Sequence, residues 1–246
     1  MTIDRYMLTV LSLAVCTSEL PAQSLEPLPV DLEVELARSA LPPHLRADAT
    51  VHVLRPDTGF EVAVEGTNGF HALVVRNDPA FVRGEWHYDT YRDDLLIPIA
   101  FDQAGVPAQM RVLLDVAAAR AEGVPPAELR RRMRARFARG HYPAPYRVGI
   151  SYMLSPILRA YRDGGESDAV GTFTYPHYMV YAPKVTNIDI GGGAGISQPF
   201  VLESGPHGFI IIPAGRAERE ELVASYAAML DRLCALRPEW CLTGDR

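Results

Sequence analysis

Lysine is almost missing from this 246-residue chain: Lys184 is the only one, and the other 23 basic side chains are arginines. A Schiff base or a lysine general base would have to run through that one residue, so those reaction classes are set aside. The bias itself fits GC-rich codon usage. Metal and nucleophile signatures are also missing. There is no HExxH, no close His-x-His and no Cys-x-x-Cys, so zinc has no sequence pattern here. Ser151, in Gly149-Ile150-Ser151-Tyr152-Met153, lacks the second glycine of a nucleophile elbow. Gly191-Gly192-Gly193-Ala194-Gly195 lacks both the Lys-Ser/Thr of a phosphate loop and the spacing of a dinucleotide fingerprint. The chain has no basic excess, with a formal net charge of −6, and so gives no support to nucleic-acid binding. No apolar run reaches the ~20 residues of a transmembrane segment. No motif specifies a reaction.

The N-terminus does carry a pattern. Arg5, an apolar run from Tyr6 to Val15 and a small, polar segment from Cys16 to Ala22 read as a secretory signal peptide over residues 1–22. The expected location is therefore periplasmic or secreted. Leu13-Ala14-Val15-Cys16 also resembles a lipoprotein processing box, but Val15 stands where such boxes carry a small residue, so a lipid anchor on Cys16 ranks second. Removal of the signal leaves Cys234 and Cys241, close together at the end of an expected helix in an exported chain. That spacing predicts a disulfide.

Residues 23–31 are Pro-punctuated and read as a linker, followed by one globular domain over 32–246. Asp31 to Ala40 reads as a helix ended by Pro42-Pro43. Thr50–Arg55, Phe60–Gly66 and Phe70–Arg76 are β-rich, separated by Pro56-Asp57-Thr58-Gly59 and by Asn68-Gly69. This predicts a three-stranded antiparallel meander in which Phe60, Val62 and Val64 face the core. Leu95–Phe101 is apolar, but Pro98 marks it as an edge strand or a buried extended segment. Two helices follow, Met110–Glu122 and Pro125–Arg139, the second with a Leu129/Met133/Phe137 stripe. Ile150–Leu154, His177–Tyr181 and Phe209–Pro213 are further strands. An amphipathic helix over Arg216–Leu236 ends the domain, with Leu222, Tyr226, Met229, Leu233 and Leu236 inward and Glu218, Glu220 and Glu221 near its start. The order does not alternate βαβα. It predicts an α+β fold: a mostly antiparallel sheet of about five to six strands with helices on one face.

Among the seven histidines, His177 and His207 sit alike, each after a proline and each opening a strand. On neighbouring strands the two imidazoles would face one site as general base and acid, or as two metal ligands. The alternative is that each ring bonds the backbone where its strand begins. Tyr175 and Tyr178 flank His177 as ligand contacts. Gly193 lies in the glycine loop between the two strands, which could close over a bound molecule. Glu85, His87 and Asp89 alternate and would supply a third metal ligand, or simply belong to a polar surface loop. Arginines 130, 131, 132, 134, 136 and 139 make one helix strongly basic, as a solvated face or as a contact for acidic surfaces. Cofactors are unspecified.

Thr67-Asn68-Gly69-Phe70, Tyr152-Met153-Leu154-Ser155 and Pro176-His177-Tyr178-Met179 together resemble a family of uncharacterised exported bacterial proteins. The resemblance covers most of the mature chain. It implies an exported globular domain and no particular activity. The leading functional expectation is thus an exported small-molecule-binding domain. A hydrolase using His177 and His207, with or without a metal, stands second, and a cell-envelope interaction module on the arginine-rich helix third.

Overall fold

The computed structural model describes residues 25–77, 90–162, 169–193 and 195–242. The expected signal peptide lies outside these residues, as do Glu85, His87 and Asp89. The class is α+β, and its centre is one eight-stranded mixed sheet. The strands are β1 (Thr50–Arg55), β2 (Gly59–Val64), β3 (His71–Val75), β4 (Ile97–Phe101), β5 (Ile150–Met153), β6 (Leu158–Tyr161), β7 (Val170–Phe173), β8 (His177–Tyr181), β9 (Phe200–Val201) and β10 (Phe209–Pro213). The sheet runs β2-β1-β3-β4-β5-β8-β10-β9, and β6 and β7 form a separate hairpin. Seven helices are described: α1 (Val30–Ser39), α2 (Pro43–Arg46), α3 (Arg111–Ala121, entered through a π-turn at Val106–Met110), α4 (Pro126–Ala138), α5 (Asn187–Ile190), α6 (Arg216–Ser225) and α7 (Ala227–Leu236).

The expected meander is overturned. β1 and β2 form the hairpin, but β3 pairs with β1 in parallel, through Thr50↔His71 and Val51↔Ala72. β1 is buried along nearly its whole length, as a central strand must be, whereas Glu61, Val62 and Ala63 of β2 are exposed at the sheet edge. Asn68-Gly69 is therefore no hairpin turn. The Asn68 side chain donates to the Leu45 carbonyl at 2.8 Å and accepts from the Phe70 N–H at 3.0 Å, which guides the chain across to β1's other side. Gly59 is needed in the true hairpin: its φ is +91°, and a Cβ there would meet the Ala118 backbone nitrogen of α3 at 3.0 Å.

β4 is central rather than an edge strand, paired with β3 along its length. Its ladder to β5 engages only Ala100 and Phe101, so Pro98 lies outside that ladder. Helices occupy both faces of the sheet, not one. Val51, Ala72, Val74 and Ala100 pack against Leu32 and Leu36 of α1 and Met229 and Leu233 of α7. The alternate residues Leu73, Val75, Ile97, Ile99 and Phe101 pack against Met110 and Leu113 at the start of α3. Leu25 and Leu28, from the stretch expected as a linker, are buried as well, Leu28 against α1 and Leu25 against Leu54 and Ala117. The final helix is two helices, broken at Tyr226 (φ −113°), and Leu236 is half exposed.

Cys234 and Cys241 form the expected disulfide, with Cα atoms 4.4 Å apart. It closes a short loop around Trp240, which is buried. Replacing both cysteines by serine should lower unfolding free energy by about 2–3 kcal/mol through the entropy of the unfolded chain. Urea denaturation of the C234S/C241S variant beside the oxidised protein checks this, and an unchanged midpoint would remove the disulfide's structural role.

Candidate functional site

His177 is the first residue of β8 and is 5 % exposed. Its Nδ1 lies 2.8 Å from the Tyr175 carbonyl, and its ring sits 4.9 Å from the Tyr175 ring. Burial lowers its pKa to about 4, so the imidazole is neutral at neutral pH, with Nδ1–H donating to that carbonyl. His207 lies elsewhere. Its Nε2 is 3.1 Å from the Pro143 carbonyl, and its ring stands edge-on to Phe137 at 5.3 Å. Its own carbonyl accepts from Gln109 Nε2 at 3.1 Å.

The strand register separates the two. β8 and β10 do pair, but antiparallel, with Pro213 opposite His177 and Phe209 opposite Tyr181. His207 precedes Phe209, so the rings belong to opposite ends of the strand pair, with at least ~13 Å of strand between them. A shared acid–base or metal site at His177 and His207 is thus overturned: neighbouring strands brought together segments, not these ring positions. Among the described residues, no group of three His, Cys, Asp or Glu side chains gathers as metal ligands.

The other sequence candidates divide. Tyr175 lines a groove, described below. Tyr178 does not: its hydroxyl donates to Glu218 Oε1 at 2.6 Å, and burial with that carboxylate pushes its pKa up to about 12. Gly193 is exposed, has φ +106° and lies outside the groove lining. Ser151 is fully buried and bonded to the Tyr181 hydroxyl at 3.0 Å, so it is held in the core away from any substrate. On α4, Arg131 and Arg132 pair with Glu128, and Arg136 pairs with Asp115 at 2.7 Å. Those internal pairs reduce the charge this helix can offer to an acidic surface. A depression of about 360 Å³ along it is lined by residues of that helix and Arg139 just beyond it.

A groove of the same volume, about 360 Å³, is more enclosed by the fold because three separate segments build it. Tyr175 and Pro176 come from the approach to β8. Ile196 and Ser197 come from the loop after α5. Pro213, Ala214, Gly215, Arg216 and Arg219 come from the end of β10 and the start of α6. The Ala214 N–H donates to the Pro176 carbonyl at 2.9 Å and ties the first and third segments. The Tyr175 hydroxyl donates to the Ile196 carbonyl at 2.8 Å and ties the first to the second. Asn187 holds the base of that loop by accepting from the Val201 N–H at 2.7 Å. Behind the groove, buried His177 fixes the Tyr175 backbone and ring. His177 is in this sense a positioning residue for Tyr175.

The groove's electrostatics are one-sided. Arg216 and Arg219 both line it, and among the described residues neither forms a salt bridge. Gly215 stands at the N-cap of α6, and no side-chain hydrogen bond caps the helix. Burial raises the Tyr175 phenol pKa, and Arg219 pulls it partly back. No protein family, curated protein or solved structure matches this chain.

A further histidine cluster escaped the sequence reading. His52 on β1 and His71 on β3 stack with ring centroids 5.3 Å apart, and His52 Nε2 lies 3.0 Å from His71 Nδ1. Burial, then the neighbouring imidazole, lowers the His52 pKa to about 4. Burial also lowers His71, against a smaller upward pull from Glu65. One hydrogen bond joins the two neutral rings, one nitrogen donating and the other accepting. The parallel β1–β3 pairing creates this contact, and nothing in local spacing announces it. Arg216 and Arg219 did leave a signal: two cations in the opening turns of a helix, where its dipole favours acids.

Proposed function

We propose that the chain is an exported binding protein that holds a small molecule in the groove between Tyr175 and the start of α6. The observation that carries this reading is the convergence of three chain segments on a groove of about 360 Å³ with an aromatic wall. That volume lies within the ~300–1,000 Å³ range of small-molecule sites. Tyr175 offers a ring held on two sides, by His177 behind it and by Ile196 through its hydroxyl. Such a ring contributes contact area at little cost in conformational freedom. Export is supported by the N-terminal charge and apolar pattern and agrees with a disulfide at Cys234–Cys241. The expected hydrolase alternative has lost the geometry it needed, because His177 and His207 do not meet.

A thermal-shift screen of small metabolites should find compounds that raise the melting temperature of the wild-type protein. Occupancy at 100 times Kd adds about 2.7 kcal/mol to stability. Tyr175→Ala should abolish that shift, and Tyr175→Phe should weaken it by releasing Ile196. A screen with no stabiliser, or one whose hits bind Tyr175→Ala unchanged, would overturn the groove as the site.

A further inference from the structure

We infer that the ligand of this groove is a small organic anion, a carboxylate or phosphate on an apolar body, whose charged end is taken by Arg216 and Arg219. This rests on the groove reading above and adds the chemical class.

Arg92, Arg132, Arg136, Arg159, Arg232 and Arg237 reach carboxylates of this chain within 4.0 Å, and Arg38, Arg46, Arg76 and Arg120, which have no such ion pair among the described residues, are held by carbonyl oxygens instead. Arg216 and Arg219, on one helical face three residues apart, line the groove without an acidic partner among the described residues. Of the three acids at the helix start, Glu218 is engaged elsewhere, its Oε1 accepting from the Tyr178 hydroxyl at 2.6 Å, and neither Glu220 nor Glu221 pairs with Arg216 or Arg219 within 4.0 Å. Glu218 does not line the groove.

The second observation is where these cations stand. A helix start carries partial positive charge, so an arginine at its first position opposes the helix dipole. Glu218, Glu220 and Glu221 favour that end of the helix, but they do not line the groove, so an anion seated between the guanidinium groups and the amide groups after Gly215 would gain from both. Local conflicts of this kind are expected at functional positions. α6 has ten residues, enough for its dipole to act, but the inference needs the groove and both arginines as well. A guanidinium takes carboxylate and phosphate oxygens alike, through charge-assisted and often paired hydrogen bonds. Ser197 adds a hydroxyl at the rim, and Pro176, Ile196 and Pro213 give the rest of the groove an apolar lining. An anionic head with an apolar body matches that division.

The test uses the oxidised, full mature chain and four probes: phenyl phosphate, benzoate, benzyl alcohol and inorganic phosphate. Calorimetric titration at low salt should show phenyl phosphate or benzoate binding, with affinity falling as salt is raised. The double variant R216Q/R219Q, at two exposed positions, should keep the native circular dichroism and weaken anion binding by about tenfold or more. Ser197→Asp places a carboxylate at the rim and should weaken the same anions far more than it weakens benzyl alcohol. If benzyl alcohol binds as well as benzoate, and R216Q/R219Q changes neither, the anionic class is overturned while the groove stands. Inorganic phosphate binding as tightly as phenyl phosphate would overturn the apolar body. If no probe binds, or if Tyr175→Ala leaves all binding unchanged, the groove reading falls along with the anion.

Discussion

Replacing Trp240 by alanine is expected to lower the free energy of unfolding by about 3–5 kcal/mol, the range for losing a large buried aromatic. Trp240 is 3 % exposed in the core shared with α1 and α7. The Arg76 and Arg237 guanidiniums lie 5.4 and 5.2 Å from its ring centroid. Its Nε1–H donates to the Asp94 carbonyl at 2.8 Å. Removing it leaves a cavity and strips a neighbour from Arg76, which is 2 % exposed and whose pKa burial already lowers to about 10. Trp240→Phe keeps an aromatic body and gives up the hydrogen bond, so its loss should be smaller, about 1–2 kcal/mol. Urea denaturation orders the three proteins. A loss below ~1 kcal/mol for the alanine variant would show that the C-terminal tail does not anchor the core.

Mild acid should destabilise this fold through its buried histidines. His52 and His177 have folded pKa values of about 4, against 6.5 in an unfolded chain. As pH falls from 6.5 to 4 the unfolded chain takes up protons that the folded chain refuses, so stability drops over that window. At ~1.4 kcal/mol per unit, each ring contributes on the order of 3 kcal/mol. Glu33 works in the opposite sense. It is buried, and its pKa is raised from 4.5 to about 7 by burial, despite a hydrogen bond from the Leu54 N–H and nearby Arg76. Between pH 7 and 4.5 the folded state holds that proton while the unfolded chain releases it, so Glu33 adds stability as pH falls. The wild-type protein should therefore lose a few kcal/mol between pH 7.5 and 4.5, and Glu33→Gln should lose roughly twice as much. Equal stability of Glu33→Gln at the two pH values would sink this account.

Several elements were readable locally because their signals are local. His177–Tyr181 and Phe209–Pro213 appear with the bounds expected from their composition. The Leu129/Met133/Phe137 stripe also holds: Leu129 and Met133 are buried and Phe137 packs beside them. Leu158–Tyr161, Val170–Phe173 and Phe200–Val201 went unread. They are four residues or fewer, too short to show alternation, and Arg159 in the first reads as a surface residue. Arg159 is instead mostly buried, held by Asp94 at 2.6 Å, whose pKa falls to about 2 between Arg92 and Arg159, against its own burial. Only a partner 65 residues away makes that charge acceptable inside.

The candidate site divides along the same line. Tyr175 and His177 were singled out, and they do stand together, one lining the groove and one supporting it. Their expected partner His207 was lost to register, because an antiparallel pair puts the starts of its two strands at opposite ends. Ile196 and Pro213 acquire their roles only from segments distant in the chain, whereas Arg216 and Arg219 carry a local mark, cations in the opening turns of a helix, whose meaning depends on the groove.

What the amino-acid order determined by itself was the kind of element in most of the longer stretches, the cysteine pair and the α+β class. Turn chemistry, side-chain periodicity and short loop closure act over a few residues, so they are written locally. Tertiary structure alone decided that β3 lies parallel to β1, that helices cover both faces, and that a groove opens beside Tyr175 while His207 stays away. Those outcomes depend on which surfaces are buried together across long stretches of chain, and a strand's own residues do not name its neighbour.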